Sequence, residues 1–420
     1  MASTIMDLLA PLMSCLSSCL PVSSSPTSLR IHSRSLKILR LLGEGGFSYV
    51  YLVQDTATSS LYALKKIRCP FGEESVSLAL REVEAYNLYS HCDNIIHSID
   101  HCVESDKSDP GAKTVYILLP YYRKGNLQDV INANLVNGTR VDEKDVMGWV
   151  MGVLRALEGM HHYEEHRNGA AAARKGEKKA KRIRDQAARE DDDAAEEAAA
   201  DDEDDARRRL NQDDNEEDEP LMPSSGGIVL PNDPSAPKSY AHRDIKPSNI
   251  MLDDSSPAHA ILMDLGSLAP SPIVITSRSL ALQVQDTAAE HSTLPYRAPE
   301  LFDVKTGSSI DTKVDVWSLG CTIFAVLIGK SPFEMRSEEM GGSLGVCVEG
   351  GDWRWPDEDA RGKKGKGKKE GEVKWPSEGV RQVVARCLVV EPSERADIEE
   401  LITLVGNVMK DLDRGSNGRA

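Results

Sequence analysis

The sequence lacks paired cysteines and any excess of basic residues. Its eight cysteines include no C-x-x-C pair, an arrangement typical of reduced structural thiols in a cytosolic protein. Basic residues number 50 against 67 acidic ones, which leaves a net charge of −17. Outside one acidic segment the charge is close to neutral, and this near-neutral balance argues against a nucleic-acid partner. The thiols that we interpret as structural are Cys69, Cys92, Cys102, Cys321, Cys347 and Cys387.

The negative charge comes mostly from one segment. Residues 190–219 contain 17 Asp and Glu against three Arg, a local balance of −14, and the rest of the chain therefore carries only −3. The acidity belongs to this segment and not to the folded part, so it says little about a substrate.

The sequence also lacks an apolar run long enough to cross a membrane. The most apolar stretch, residues 5–20, contains Asp7 and Pro11 and has no basic start. It is therefore neither a good signal peptide nor a membrane span. The same stretch contains Cys15 and Cys19.

Apolar periodicity divides the chain into a strand-rich part and a helix-rich part. Strands are predicted at 36–43, 49–53, 61–67, 95–102 and 114–119, with one helix at 74–89. Helices predicted at 142–165, 314–329, 380–388 and 397–410 dominate the rest. The predicted fold class is α+β, with a small β-rich N-lobe and a larger, mostly helical C-lobe. The predicted boundaries are an N-terminal tail at 1–33, the N-lobe at 34–120, the C-lobe at 121–410 and a C-terminal tail at 411–420.

Two charged segments interrupt the C-lobe. Residues 166–238 consist of Ala, Lys/Arg and Asp/Glu blocks, which we interpret as a disordered insertion, although the blocks could also recruit a partner. Lengthening a connection from about three to about 75 residues costs roughly 3 kcal/mol against a typical stability of about 5–15 kcal/mol, so the fold tolerates it. Residues 358–374 form a second, basic loop insertion. Contact with anionic lipid or nucleic acid is the alternative to a simple loop there.

Two motifs in the C-lobe indicate phosphoryl transfer. The octapeptide His-Arg-Asp-Ile-Lys-Pro-Ser-Asn ends at Asn249, and a Met-Asp-Leu-Gly motif follows around Asp264. Asp244 can orient and deprotonate a hydroxyl, whereas Asn249 and Asp264 can hold Mg²⁺ against the phosphates of ATP. Lys246 can neutralise charge on the migrating phosphoryl group. The catalytic residues predicted are Asp244 and Lys246, and the metal ligands are Asn249 and Asp264.

The first strand ends in a glycine-rich turn. This turn matches G-x-G-x-x-G-x-V except that Ser48 replaces the third glycine. Glycines at these places let the backbone approach phosphates closely. The nucleotide-binding residues predicted here are Leu42, Gly43, Glu44, Gly45, Gly46, Phe47 and Val50.

The third strand carries a lysine suited to the α- and β-phosphates. Lys65 occupies this place, Ala63 would face the adenine, and Lys66 faces the opposite side. A carboxylate must orient the ammonium group, and Glu82 is the preferred candidate, with Glu84 as the alternative.

Three further residues are predicted to bind the base. Pro120 would open the hinge between the lobes and offer its carbonyl, since adenine needs an N–H only from the third hinge residue, Tyr122. Met251 would form the floor of the adenine site.

Two pairs are predicted to support the loop of residues 242–249, which we call the catalytic loop. Glu300 is expected to pair with Arg395. The carboxylate of Asp315 is expected to accept hydrogen bonds from the backbone near His242 and Arg243. Thr293, together with Lys246, favours serine and threonine over tyrosine as the acceptor.

Through these residues the chain resembles eukaryotic protein kinases. It is most similar to the Numb-associated kinase family, in the lipid-anchored branch of myristoylated and palmitoylated serine/threonine kinases, with a vacuolar-membrane type among its fungal members. Residues 41–50, 240–249 and 263–302 carry the match. The resemblance implies a bilobal fold, ATP with Mg²⁺, phosphorylation of protein Ser and Thr, autophosphorylation and a peripheral location on Golgi, endosomal or vacuolar membranes.

The N-terminal tail departs from the animal members of that branch. Residue 2 is alanine, so N-myristoylation is not expected. Cys15 and Cys19 are four residues apart and would share one apolar helical face, where two acyl chains would hold the protein on a membrane. The alternative is a weakly apolar leader without lipid.

Two other classes of function compete with an active kinase. One is a pseudokinase scaffold that binds partners through the charged insertion, and the other is a membrane-tethered adaptor. The presence of Lys65, Glu82, Asp244, Asn249 and Asp264 favours the active enzyme.

Overall fold

The computed structural model describes residues 28–45, 48–105, 111–163, 239–357 and 376–417. These residues divide into two compact units. The first contains residues 28–83 and 97–121, and the second contains residues 84–96 and the chain from 122 onwards. The first unit is rich in strands and the second is mostly helical, which confirms the predicted α+β class.

The first unit is built on a six-stranded antiparallel sheet in the order β1-β2-β3-β4-β6-β5. Alternating apolar residues place Ile31, Leu36, Val53, Leu64 and Leu118 in one buried cluster on the sheet. The helix α1 (Glu73–Leu88) follows the fourth strand. The strands are β1 (Ser28–Ile31), β2 (Arg34–Glu44), β3 (Ser48–Asp55), β4 (Leu61–Cys69), β5 (Asp100–Ser105) and β6 (Lys113–Pro120).

Two predicted boundaries in this unit are wrong. The tail expected to reach residue 33 ends earlier, because β1 pairs with β2 and buries Ile31 completely. The strand expected at 95–102 begins at Asp100. Ile95 instead forms a single bridge with Leu262, so the apolar residues at the start of that run serve the second unit.

The second unit is organised around a helix that is buried on all sides. This helix is α5 (Lys313–Ile328), and every residue from Val314 to Leu327 is buried. A helix without a polar face belongs in a core. The other helices are α2 (Leu127–Asn137), α3 (Glu143–His161), α4 (Arg278–His291), α6 (Pro332–Met340), α7 (Leu344–Glu349), α8 (Glu378–Cys387) and α9 (Ile398–Asn417).

Short strand pairs in the second unit position the loops between helices. β7 (Ser239–Ala241) pairs with β10 (Ala269–Ser271), and β8 (Ile250–Leu252) pairs with β9 (Ala260–Leu262). The pair β11 (Ile273–Val274) and β12 (Ser309–Ile310) lies farther along the chain.

Helix ends differ from the predicted ones at two places. The helix predicted at 142–165 ends at His161, and Asp142 caps its start by accepting from the Lys144 N–H. The C-terminal tail expected from residue 411 starts later, because α9 continues to Asn417. A helix within 278–291 was not predicted. It begins where the Ser277 side chain accepts from the Leu280 N–H.

Several predictions fall outside the described residues. These concern Gly46 and Phe47, the acylation expected at Cys15 and Cys19, most of the tail, the insertion at 166–238 and the basic loop at 358–374. Within the described ranges no single helix is long and apolar enough to cross a membrane. The bent pair α5 and α6 reaches the required length and composition together.

Candidate active site

Lys65 and Glu82 form a close ion pair in the first unit. Lys65 Nζ lies 2.7 Å from each carboxylate oxygen of Glu82, and both side chains are largely buried. The two alternatives point elsewhere. Glu84 is exposed, and the Lys66 ammonium lies 5.9 Å from the centroid of the Tyr116 ring. The sequence-based preference for Glu82 as the partner of Lys65 therefore agrees with the geometry.

The glycine-rich turn joins β2 to β3 beside this pair. Cross-strand register places Gly43 opposite Val50 and Val50 opposite Lys65. Gly45 donates its N–H to the Ser48 carbonyl at 2.8 Å. A Cβ atom added at Gly43 would meet nothing within 4 Å, whereas one added at Gly45 would lie 3.1 Å from Ser48 Oγ. Leu42 and Glu44 lie on the same strand as Gly43.

The residues predicted to bind adenine are divided between the units. In the first unit Ala63 is paired with Leu119, and Pro120 is the last residue of β6. In the second unit Tyr122 is half-buried, and Met251 in β8 forms a bridge with Asn126. Burial and the nearby Asp253 and Asp254 raise the pKa of Tyr122, so its hydroxyl stays protonated at neutral pH.

Asp244 lies at the centre of a hydrogen-bonded network in the second unit. Lys246 Nζ donates to Asp244 Oδ2 at 2.6 Å and to Thr293 Oγ1 at 2.7 Å. Thr293 donates to Asp244 Oδ1 from its hydroxyl at 2.8 Å and from its N–H at 3.1 Å. Asn249 Nδ2 donates to the Asp244 carbonyl at 2.8 Å and to its Oδ2 at 3.1 Å. The Asp244 carboxylate is therefore held in one orientation with a cation beside it.

The β8–β9 hairpin brings Asn249 and Asp264 together. Asn249 directly precedes β8, and its carbonyl accepts from the N–H of Met263 at 2.9 Å. Asp264 is the next residue, and it has a left-handed backbone with φ of 63°. Strained backbone of this kind is concentrated at functional sites.

The donor atoms of Asn249 and Asp264 suit Mg²⁺. Because Nδ2 of Asn249 is bound to Asp244, its Oδ1 atom is the group available to ligate a cation. Mg²⁺ takes oxygen ligands and is usually held by one or two carboxylates together with phosphates. The oxygen donors of this pair therefore fit a metal ion shared with a phosphate ligand. Across the described ranges no group of three or more His, Cys, Asp or Glu is placed to hold a metal ion.

Asp315 holds the backbone of the catalytic loop through its carboxylate. Its carboxylate accepts from the His242 N–H at 2.8 Å and the Arg243 N–H at 2.7 Å, as predicted. A third partner was not predicted, since His161 Nε2 lies 3.0 Å from Asp315 Oδ2. The position of this histidine at the end of a long apolar helix was the available signal. Burial lowers the pKa of Arg243, and the charge of Asp315 opposes this effect.

Burial alone would raise the pKa of Asp315. The hydrogen bond and charge of His161, the charge of His242 and the Arg243 N–H outweigh it and hold the pKa below its ordinary value. Asp315 is therefore ionised at neutral pH and can keep all three partners.

The predicted pair of Glu300 and Arg395 is present, with Arg395 buried and Glu300 half-buried. The guanidinium donates to both carboxylate oxygens, at 2.8 Å and 3.0 Å. It also donates to three backbone carbonyls and lies 5.1 Å from the Trp317 ring centroid. This pair anchors the end of the segment that begins at Asp264.

Comparison with known proteins gives one family and several relatives. A model of the protein kinase domain matches residues 36–166 and 237–404, and so omits most of the insertion. Serine/threonine-protein kinase ENV7 of Saccharomyces cerevisiae is 33% identical over 399 residues, covering 93% of this chain and 95% of that protein. Serine/threonine-protein kinase ppk13 of Schizosaccharomyces pombe is 30% identical over 89% of this chain and 91% of its own length. Human serine/threonine-protein kinase 16 is 29% identical over 76% of this chain and 77% of its own length.

Proposed function

The chain belongs to the protein kinase family and is a serine/threonine protein kinase. From this premise we propose that it uses MgATP to phosphorylate protein substrates at intracellular membranes. We also propose that it phosphorylates itself. The relatives belong to the branch named in the sequence analysis. The wider Numb-associated grouping stays a prediction. The observation that carries the chemistry is the network of Asp244, Lys246 and Thr293.

In the proposed reaction Asp244 orients the acceptor hydroxyl and takes its proton. The carboxylate is suited to this role because Thr293 and Asn249 already fix both of its oxygens. Lys246 would then stabilise negative charge on the transferred group. Lys65, held by Glu82, would bind the α- and β-phosphates of ATP.

Mg²⁺ would be held by Asn249 and Asp264, and when bound it neutralises charge on the β- and γ-phosphates. The contribution of the chain is to fix both ligands before the ion arrives. The Asp244 network immobilises the Asn249 amide, and the hairpin places Asp264 next to it.

Activity is tested by incubating purified full-length protein with labelled ATP, Mg²⁺ and a mixed Ser/Thr peptide library. We expect Lys65→Met and Asp264→Asn to reduce transfer at least about 100-fold. Lys66→Met is the matched control, because Lys66 lies on the same strand beside Tyr116 and leaves the ion pair intact. Full activity in Asp264→Asn would contradict the metal-ligand role of Asp264, whereas a wild type that transfers no phosphate would favour a scaffold.

Autophosphorylation is proposed for the segment between Asp264 and Glu300. Thr276, Ser277 and Ser279 are exposed hydroxyl residues there, whereas Thr293 is bound to Asp244 and Lys246. Phosphate at the start of α4 would also be stabilised by the helix N-terminus. We expect mass spectrometry of the wild type to find phosphate at one of the three exposed residues. Phosphate on the same residue in Asp244→Asn would show that another kinase had added it.

The membrane role is proposed from the two cysteines of the N-terminal tail. Palmitoylation of Cys15 and Cys19 would supply the two lipid chains that stable anchoring requires. In cell fractionation, the Cys15→Ser/Cys19→Ser variant should appear in the soluble fraction instead of the membrane fraction. The Cys92→Ser control should remain in the membrane fraction. Persistence of the double variant on membranes would exclude this anchor.

A further inference from the structure

The two ends of the long insertion are held together by buried aromatic rings. Tyr163 is the last described residue before residues 164–238, and Tyr240 is the second residue after them. Their ring centroids lie 5.3 Å apart at an interplanar angle of 86°. Tyr89 contacts both rings edge to face, at 5.9 Å from Tyr163 and 6.4 Å from Tyr240. Tyr89 and Tyr240 are at most 1% exposed and Tyr163 is 5% exposed, so the three residues form one tyrosine cluster.

The cluster lies close in sequence to both histidines that bind Asp315, the residue that supports the catalytic loop. His161 precedes Tyr163 by two positions, and His242 follows Tyr240 by two positions. The His161 side chain and the His242 N–H both bind Asp315 Oδ2, at 3.0 Å and 2.8 Å. The negative charge of Asp315 also contributes to the raised pKa of Tyr89, which places this carboxylate near the cluster. Helix α3 and the catalytic loop therefore meet at the rings and again at Asp315.

A short connection would keep the catalytic loop close to the end of α3 by itself. A connection of about 75 residues does so far less effectively, because the entropy of loop closure increases with length. Edge-to-face aromatic contacts between buried rings favour one relative position of the two chain ends. They act regardless of what the intervening residues do.

We propose that the cluster of Tyr89, Tyr163 and Tyr240 is a positioning device that replaces the short covalent connection and keeps the catalytic loop in register on Asp315. The proposal rests on the proposed function, since the loop that it positions carries Asp244. The three tyrosines act through the loop and contact no substrate. It follows that the rings matter more when the connection is long than when it is short.

The first test measures steady-state kinetics of the full-length chain. Tyr163→Ala should lower kcat about 10-fold with KM for ATP changed less than about twofold, because the loop and not the nucleotide site is disturbed. Tyr163→Phe keeps the ring and should retain kcat within about twofold. Thermal unfolding of each variant identifies any loss that comes from unfolding. An unchanged kcat in a folded Tyr163→Ala variant would overturn the proposal.

The second test varies the length of the connection. Replacing residues 164–238 with about four Gly and Ser residues should reduce the effect of Tyr163→Ala on kcat to about twofold, because the short link then holds the loop. An equal loss in both lengths would mean that the rings are ordinary core packing, and this would overturn the proposal. If the shortened chain does not fold, the full-length kinetics and the exchange measurement below decide.

The third test does not depend on activity. Hydrogen exchange at the His242 and Arg243 amides reports their bonds to Asp315 directly. These amides should exchange about 10-fold faster in Tyr163→Ala than in the wild type or in Tyr163→Phe. Equal protection in all three would overturn the positioning role. A wild type with protected amides but no phosphoryl transfer would contradict the proposed function and leave the cluster itself supported.

Discussion

In the second unit the non-glycine residues Arg243 and Asp264 have left-handed backbone, with φ of 71° and 63°. Each such conformation costs on the order of 1–3 kcal/mol and persists only where neighbours enforce it. For Arg243 the enforcing contact is the hydrogen bond from its N–H to Asp315. For Asp264 it includes the hairpin that binds Met263 to Asn249. Both strained positions are thus held by contacts within the candidate site.

Three cysteines, of which Cys102 is half-buried and Cys321 and Cys387 are buried, are expected to be unreactive. Burial raises the pKa of Cys102 to about 11 and that of Cys387 to about 12, and it raises the pKa of Cys321 well above its ordinary value. Because the thiolate is the nucleophile, iodoacetamide at pH 8 should modify these three at least about 100-fold more slowly than free glutathione. Peptide mapping checks this, and the unfolded chain serves as the control in which all three react. Modification of the native protein at the glutathione rate would contradict it.

Asp315 should make stability depend on pH at the acid end. Its pKa lies below the ordinary carboxyl value of about 4, so its stabilising contribution is complete above that value and is lost as pH falls through the lower, folded-state pKa. Asp315→Asn should reduce the free energy of unfolding by on the order of 3 kcal/mol at pH 7. In urea titrations this difference should shrink below about pH 4. A difference that stays constant down to pH 3 would contradict the assignment.

At the scale of secondary-structure elements, buried side chains join the two ends of each inserted segment of the second unit. At the first insertion the tyrosine cluster does this. The second, at 358–375, is closed by Arg381, which donates to the Pro376 carbonyl at 2.9 Å and pairs with Asp357 at 2.9 Å. Its guanidinium also lies 4.8 Å from the Trp355 ring centroid. The residues before and after each inserted segment therefore lie close together in the fold.

The contact between α5 and α8 depends on a glycine. A Cβ atom at Gly320 would lie 2.5 Å from Cys387 Cβ and 2.9 Å from Leu388. Gly320→Ala should therefore destabilise the protein by about 1–3 kcal/mol through overpacking. Gly148→Ala in α3 is the matched control, since its Cβ meets nothing within 4 Å, and it should stabilise by about 0.5–1 kcal/mol through helix propensity. Thermal unfolding compares the two, and equal effects would contradict this view of the contact.

At the scale of the whole molecule, ligand binding should increase the stability of the native state and so raise Tm. A ligand that binds only the native state at 100 times its Kd adds about 2.7 kcal/mol. ATP with Mg²⁺ should therefore raise Tm more than ATP with EDTA. In Asp264→Asn the extra effect of Mg²⁺ should disappear, whereas Asp303→Asn, an exposed carboxylate of the same unit, should retain it. Equal Mg²⁺ effects in both variants would exclude Asp264 as the metal ligand.

The residues of the candidate site were predictable where one local motif contains them. Asp244, Lys246 and Asn249 lie within six consecutive positions, so their chemistry and spacing are visible without a fold. Element boundaries were less predictable. The strand expected at 95–102 and the tail expected up to 33 were wrong because apolar runs there serve long-range pairings, of Ile95 with Leu262 and of β1 with β2. Local periodicity contains no information on such partners.

By itself the sequence determined the kinase family, the α+β class and the candidate catalytic side chains, because these follow from residue type and short spacing. Only the tertiary structure decided which distant residues meet. It brought His161 to Asp315 and Tyr163 to Tyr240. Such contacts depend on how the whole chain buries its apolar surface. In a folded protein the buried apolar groups must be closely packed and the buried polar groups hydrogen-bonded at the same time. Only the assembled fold can meet both requirements.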